Sequence, residues 1–231
     1  MNENAIDILA RYEKAINKKR LLFKLQLSDL CVKADPMSLL SMKVALGDEF
    51  VNVERAADVV KKDDETFILI PHEDCTLDSL VVAVTQVHPE FKQKYISAKV
   101  APDSDDTVML LKLIMPEVDK LRHDVLVQGV DTLMNAINSS IDADKAYFAV
   151  RIARFMLEAT PMEQDEVKQK MDEGAETCKG MVGEDADNKK KEIEEAYAEY
   201  LTRQEEKKSK EGSQGVTDAS GADVVNAMKM E

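Results

Sequence analysis

Two prolines, Pro36 and Pro116, do most to limit what this chain can fold into, because the hydrophobic period changes at each. Before Pro36, Ile6, Leu9, Ile16, Leu22, Phe23, Leu25, Leu27 and Leu30 recur at three- and four-residue steps. That is the period of an amphipathic helix with a wide apolar face, here over residues 3–33. The residue before a proline disfavours helix, so this helix is expected to stop by Ala34. After Pro116, Val118, Leu121, Val125, Leu126, Leu133, Met134, Ile137 and Ile141 resume a helical stripe that continues through Phe148, Ile152 and Met156. Proline suits a first helical turn, so the second long helix is expected to begin at Pro116.

Residues 37–114 read differently. Leu40, Met42, Val44 and Leu46 alternate with smaller or polar residues, which predicts a strand ending at Gly47. Residues 53–58 read as a short helical turn, 61–64 as a polar turn and 67–70 as a buried strand stopped by Pro71. Thr76 is placed to cap a helix that Pro89 must end. Residues 102–106 read as a loop and 108–114 as a closing strand. Beyond Thr160-Pro161 a third helix is expected to about residue 208, with a break near 182–187. Gly174, Gly180 and Gly183 motivate that break, because each costs about 1 kcal/mol against Ala inside a helix. The Gly- and Ser-containing tail, 209–231, is expected to be disordered. The fold class expected is α+β. Residues 1–34 plus 115–208 form a three-helix bundle, and a small β-rich module, 35–114, is inserted between helices 1 and 2.

Charge narrows the function classes. A net charge of −14 over 231 residues repels phosphate backbones and anionic membranes at long range. Nucleic-acid binding then needs a local basic patch, and the first helix supplies the candidates: Lys14, Lys18, Lys19, Arg20 and Lys24. No apolar run approaches the roughly 20 residues of a membrane span, so no membrane partner is expected. Cys31, Cys75 and Cys178 are widely spaced and odd in number, which points to a reducing compartment. Glu3 and Asp7 fit neither a secretory leader nor an acid-poor transit peptide. The expected location is soluble, in cytoplasm or mitochondrial matrix.

Catalytic and metal signatures are sparse. His72-Glu73-Asp74-Cys75 lies after Pro71 and reads as a polar turn, since consecutive loop residues rarely converge on one ion. His88 reads as a helix end or a surface group. His123 and Asp124 are adjacent on a helix and are expected to point apart. There is no phosphate-binding glycine loop, no HExxH and no GxSxG. No enzyme activity, metal or cofactor is expected.

The run Ile137-Asn138-Ser139-Ser140-Ile141-Asp142-Ala143, preceded far upstream by Lys33-Ala34-Asp35-Pro36, resembles the ribosome recycling factor family. In that family the first junction reads roughly Gly-Arg-Ala-Ser-Pro and the matching helix reads Arg-Asn-x-Arg-Arg-Asp-Ala. Asn138, Asp142 and Ala143 keep their places, while Ile137, Ser140 and Ile141 stand where the family has arginines. Lys33 stands at the junction arginine, keeping its charge without the planar fork. Gly47 falls at a family turn glycine, and Asp63-Asp64-Glu65-Thr66-Phe67 corresponds to Asp-x-Arg-Thr-Leu, so Glu65 reverses a charge. The resemblance extends over about residues 3–205 and rests on order and spacing rather than on one motif. It implies a helical bundle with an inserted β module, hinged at Pro36 and Pro116. It also implies a non-enzymatic factor that binds the post-termination ribosome and acts with a GTP-hydrolysing elongation factor. Charge-assisted hydrogen bonds contribute about 1.5–3 kcal/mol each. Losing three arginines removes roughly 4–9 kcal/mol of RNA contact if additive, about three to six decades of affinity.

Two readings follow. In one, the chain is a ribosome-associated recycling-factor relative whose RNA or partner contacts run through Lys18, Lys19, Arg20, Lys24, Lys33, Asn138 and Asp142. In the other, the fold is reused for contact with another protein assembly, with Ile137, Ser140 and Ile141 as a partly apolar patch. Ile137 and Ile141 lie four apart on one helical face, so burial in the bundle is the simpler expectation for them.

Overall fold

The computed structural model describes residues 3–99, 107–157 and 159–214. Three long helices dominate: α1 (Glu3–Asp29), α4 (Lys120–Ala153) and α5 (Pro161–Gln214). Between α1 and α4 lie a 3-10 turn (Pro36–Leu39), strands β1 (Lys43–Leu46), β2 (Glu49–Asn52), β3 (Ala57–Asp63), β4 (Thr66–Pro71), β5 (Lys92–Lys99) and β6 (Thr107–Ile114), and two helices. These are a single turn, α2 (Val53–Ala56), and the longer α3 (Leu77–Val87).

The long helices share one aliphatic core. Tyr12, Ile16 and Phe23 of α1 meet Val130, Ile137, Ile141 and Phe148 of α4 and Met171, Cys178 and Val182 of α5. Tyr12 and Phe148 pack as tilted rings with 5.7 Å between centres, and the Tyr12 hydroxyl donates to the Met171 carbonyl at 2.8 Å. Burial pushes that phenol up to about 12. The expected helical stripe of α4 is therefore the core side of the helix, except at Leu121 and Val125, which are exposed.

A second core belongs to the strands. β3, β4, β6 and β5 form an antiparallel sheet in that order, and β1 and β2 form a separate hairpin. Gly47 turns that hairpin with φ of 58°, a region that favours glycine. Phe67, Leu69, Leu111 and Leu113 of the sheet pack with Leu80 and Val84 of α3 and with Leu39, Met42 and Val44. The Thr76 side chain accepts from the Ser79 amide, as an N-cap should.

Several boundaries differ from the sequence pattern. α1 ends at Asp29 rather than near residue 33, a 3-10 turn capped by Asp35 covers Pro36–Leu39, and the strand expected from Leu40 begins only at Lys43. Residues 61–63 continue β3 instead of turning, because they pair with β4, and the turn falls at 63–66 with Asp63 accepting from the Glu65 amide. β5 is not evident from its letters. Lys92, Lys94 and Lys99 give it the charged character of an edge strand, and only its pairing along β6 defines it. Pro116 does not open α4. Asp119 caps that helix by accepting from the Arg122 amide at 2.8 Å, and a carboxylate cap outcompetes a proline start three residues earlier. α5 is unbroken through 182–187 and runs past residue 208 to Gln214. Buried Cys178, Val182 and Ala186 hold it against the other helices, which outweighs the glycine penalties. The expected loop at 102–106 and the tail from residue 215 lie outside the described residues.

Candidate functional site

The basic residues of α1 divide between two directions. Arg20 turns inward and holds Asp185 of α5 through two bonds, at 2.8 and 3.2 Å, with the Met181 sulfur 2.9 Å from a third nitrogen. The hydrogen bond to Asp185 raises the guanidinium above its ordinary range. Lys24 reaches the same carboxylate at 3.5 Å, Lys19 pairs with Asp144 of α4 at 3.6 Å, and Lys33 pairs with Glu199 at 3.4 Å. Lys14 and Lys18 remain exposed without an ion pair among the described residues. A cleft of about 270 Å³ between α1 and α5 has the same balance, with Lys24, Lys33 and Lys189 facing Asp35, Asp185 and Glu192. Of Lys18, Lys19, Arg20, Lys24 and Lys33, all but Lys18 thus face a carboxylate, Arg20 and Lys24 sharing Asp185, which weakens the group as a phosphate site.

On α4 the expected site residues separate as well. Ile137 and Ile141 are core residues, 5% and 0% exposed, so they form no surface patch. Ser140 is half-buried beside them on the α1 side. Asn138 is also half-buried, and its side-chain oxygen is buried without a hydrogen-bond partner among the described residues. Asp142 is exposed but pairs with Lys179 of α5 at 2.7 Å. The site residues do not converge on one surface. Ile137 and Ile141 share a helical face, as their spacing says, but that face is internal.

A denser polar cluster lies where the two cores meet, drawn from three separate stretches of sequence: residues 31–38, residues 88–91 and Arg122. His88 follows α3 and is 2% exposed, not a surface group. Its Nε2 lies 3.1 Å from the Ser38 carbonyl, and its Nδ1 lies 3.2 Å from a Glu90 carboxylate oxygen. Both partners are acceptors, so both ring nitrogens carry protons and His88 is an imidazolium. The ring also stacks on Phe91 at 4.6 Å, with the Cys31 sulfur 3.9 Å from Nε2. Burial opposes the charge, but the bonds to Cys31, Glu90 and Ser38 carry the histidine up to about 10. Burial likewise opposes ionisation of Glu90, yet the His88 bond leaves its carboxyl below the usual range. Arg122 completes the cluster from α4, donating to the Cys31 carbonyl at 2.7 Å and to the Pro116 carbonyl.

Both chain crossings are tied. The Ala34 amide donates to the Asp64 carbonyl at 2.8 Å, and the Met115 amide to the Glu65 carbonyl at 2.9 Å. Arg203 of α5 pairs with Glu65 and lies 3.8 Å from Glu117. Pro36 sits at the exposed start of the 3-10 turn, and Pro116 lies between β6 and α4.

His123 and Asp124 do meet, at 2.9 Å, against expectation. The ring packs on Tyr197 at 4.8 Å and bonds Glu194 at 2.9 Å, and that tertiary contact orients it toward the neighbouring carboxylate. The bonds to Asp124 and Glu194 raise its affinity for a proton. His72 bonds the Arg55 carbonyl and Asp58. No group of three His, Cys, Asp or Glu that could hold a metal ion occurs among the described residues. None of the described helices is long and apolar enough to cross a membrane.

The element order and the two-core build match solved structures of one kind. The solution structure of the ribosome recycling factor aligns with a TM-score of 0.58 and 12% identity, over 84% of this chain and 100% of that one. A chain from models for the T. thermophilus ribosome recycling factor and E. coli elongation factor G bound to the E. coli post-termination complex aligns with a TM-score of 0.50 and 17% identity, over 82% and 98%. The chain has the recycling-factor fold. At these identities the likeness concerns fold alone. No protein-family model matches the chain, and no curated protein matches it.

Proposed function

We propose that this chain is a non-enzymatic recycling-factor-like protein of the translation apparatus, and that it engages that apparatus through protein-facing surfaces in place of an arginine-to-RNA contact. The observation that carries the second half is the inward pairing of Lys19, Arg20, Lys24 and Lys33 with carboxylates of α4 and α5. A cation already held by a carboxylate must break that pair to bind phosphate. The first half rests on a fold shared with a recycling factor and with a chain from models that include an elongation factor G and a post-termination complex. A ribosome and an elongation-factor-type GTPase are the partners this reading names. It includes the division into a helical unit, 1–34 plus 115–208, and an inserted unit, 35–114, that rotate about Pro36 and Pro116.

A second reading, reuse of the fold in a different protein assembly, is favoured by the net charge of −14. Affinity purification of the full chain separates the two. Recovery of ribosomal proteins and a translational GTPase supports the first, and their absence beside another reproducible assembly supports the second. Ribosome binding that weakens about a hundredfold or more on raising salt about fourfold would overturn the protein-facing half, because roughly four or more phosphate contacts would then be at work.

A further inference from the structure

The four-stranded sheet is covered on one face only. Phe67, Leu69, Leu111 and Leu113 point toward α3 and the 3-10 turn, so by strand alternation Ile68, Ile70, Ile96, Val108 and Leu110 point the other way. Val108 is 38% exposed, the isoleucines are half-buried, and Leu110, opposite Ile96, is 8% exposed. None of these five belongs to either core or packs against one among the described residues. An antiparallel sheet with one wet face alternates apolar and polar residues, whereas strands covered on both faces read as continuous apolar runs. The central strand β4 reads Phe67-Ile68-Leu69-Ile70 and the central strand β6 reads Val108-Met109-Leu110-Leu111. Both have the pattern of strands with a second cover.

One corner of that face is basic. Lys112 of β6 stands opposite Ile68 and Lys94, and Lys92 stands opposite Ile114. None of the three lysines makes an ion pair among the described residues. Asp63, at the β3–β4 turn, lies in the field of Lys62 and Lys112, and Asp58, across the face, is held by His72 at 3.3 Å. Lysines on β5 guard an exposed edge, but Lys112 sits on a central strand that has no edge to guard.

We propose that residues 216–231 of this chain seat on this face, with Asp218, Asp223 and Glu231 toward the lysines and Val224, Val225, Met228 and Met230 on the isoleucines. The segment joins those apolar residues to three acidic side chains against one lysine, Lys229, which is the complement of the face. Its tether starts close by. Arg203 of α5 pairs with Glu65, next to Thr66, and the row from Thr66 crosses Ile114 to Lys92, two strands or about 10 Å away. From Arg203, α5 runs roughly 16 Å further to Gln214, and residues 215–231 span up to about 55 Å when extended. The face is within reach whichever way α5 leads. A tether of this kind gives an effective concentration on the order of millimolar. A contact too weak to hold a free acidic partner against the net charge of −14 therefore holds this segment. While seated, it closes the face to other proteins. The inference needs no ribosome, and its test uses the purified chain alone.

A nitroxide on Asn226→Cys of the full chain reads the contact by NMR, since the native Cys31, Cys75 and Cys178 are buried and escape labelling. Amides of Ile68, Ile96 and Lys112 should lose several-fold more intensity than those of Thr85 and Gln86 on α3, across the sheet. Raising salt to about 0.5 M should shrink the difference, because the lysine contacts are screened. Lys92→Glu with Lys94→Glu should abolish it. Asp218→Lys with Asp223→Lys, which leave both cores as they are, should abolish it as well, and the two pairs combined should restore it. Equal loss on both faces of the sheet, or a difference that survives both pairs of substitutions, overturns the proposal. So does intensity loss in an isotope-labelled chain without nitroxide when it is mixed with a nitroxide-bearing chain, because the occupant is then a second copy.

Discussion

The guanidinium of Arg122 donates to the carbonyl oxygen of Cys31 at 2.7 Å, tying the first turn of α4 to a residue just beyond the end of α1. The same side chain bonds the Pro116 carbonyl, so one residue spans both places where the chain passes between its two cores. Arg122→Leu strands two carbonyls and leaves Glu90 with His88 as its remaining cationic neighbour. The expected loss is about 1–3 kcal/mol. Fluorophores at exposed Gln128 and Lys94 should then report a broader distance distribution between α4 and β5. A distribution as narrow as in the native chain, with the stability loss present, would mean that Arg122 stabilises the joint without setting its angle.

His88 makes that joint sensitive to alkali. Its folded-state value is raised to about 10 from an ordinary 6.5. A group raised on folding contributes stability that is fully present below its unfolded value and is lost as pH rises through the folded one. The stability difference between the native chain and His88→Gln should therefore be largest near pH 6 and shrink progressively toward pH 10. Facing groups on the neighbouring elements are Cys31, the Ser38 carbonyl and Glu90, and Glu90 in turn lies in the field of Arg122. Urea unfolding at several pH values measures the difference. A difference that does not vary with pH would mean that the histidine is neutral in the folded chain.

Much of the fold is legible in the letters, because burial writes a period into them. The α4 stripe through Leu126, Ile137, Ile141 and Phe148 is visible in their spacing alone, and all four are buried. The cap at Thr76 and the turn at Gly47 are local chemistry and are equally visible. β5 is not, since its lysines mark only an edge and its partner is fixed by the ladder to β6. Continuity of α5 is hidden for a related reason: the glycines are local, while the packing that overrides them comes from α1 and α4. The joint is the least legible part. Cys31, Ser38, His88 and Arg122 are far apart in sequence, and no spacing rule brings them together. For the candidate basic surface, the letters supply the lysines and arginine but not the carboxylates of α4 and α5 that occupy them.

Arginine at the positions where the resemblance places it should have opposite outcomes at neighbouring sites. Ile141 is fully buried, so Ile141→Arg forces an unpaired charge into the aliphatic core and should unfold the helical unit. Ser140 is half-buried at the α1 side, and Ser140→Arg should fold with a loss below about 1 kcal/mol, its stem lying along the helix and its head in water. Thermal melts of both variants decide this. Equal melting temperatures would mean that α4 is rotated in solution and that Ile141 faces out.

The glycines of α5 offer the sharpest test of its continuity. At Gly180 and Gly183 an added methyl group meets nothing within 4 Å, so alanine there costs no packing. Alanine also reduces the freedom of the unfolded chain, which stabilises a helix by about 0.4–1 kcal/mol per site. The pair Gly180→Ala and Gly183→Ala should together add roughly 1–2 kcal/mol, because the two positions share no partner. Gly174 differs, since its added carbon would lie 3.5 Å from Ile16 and 3.6 Å from Tyr12. That is ordinary contact, and Gly174→Ala should gain from both packing and helix propensity. Gly129 is tighter, 3.3 Å from a Leu30 methyl, so Gly129→Ala should be near neutral as the leucine end shifts to admit it. Urea unfolding of the four variants gives the order directly. If alanine at 180 and 183 lowers stability while alanine at 174 raises it, the helix is interrupted between residues 180 and 183 in solution, and the ion pairs of Lys179 and Asp185 on either side do not hold it continuous.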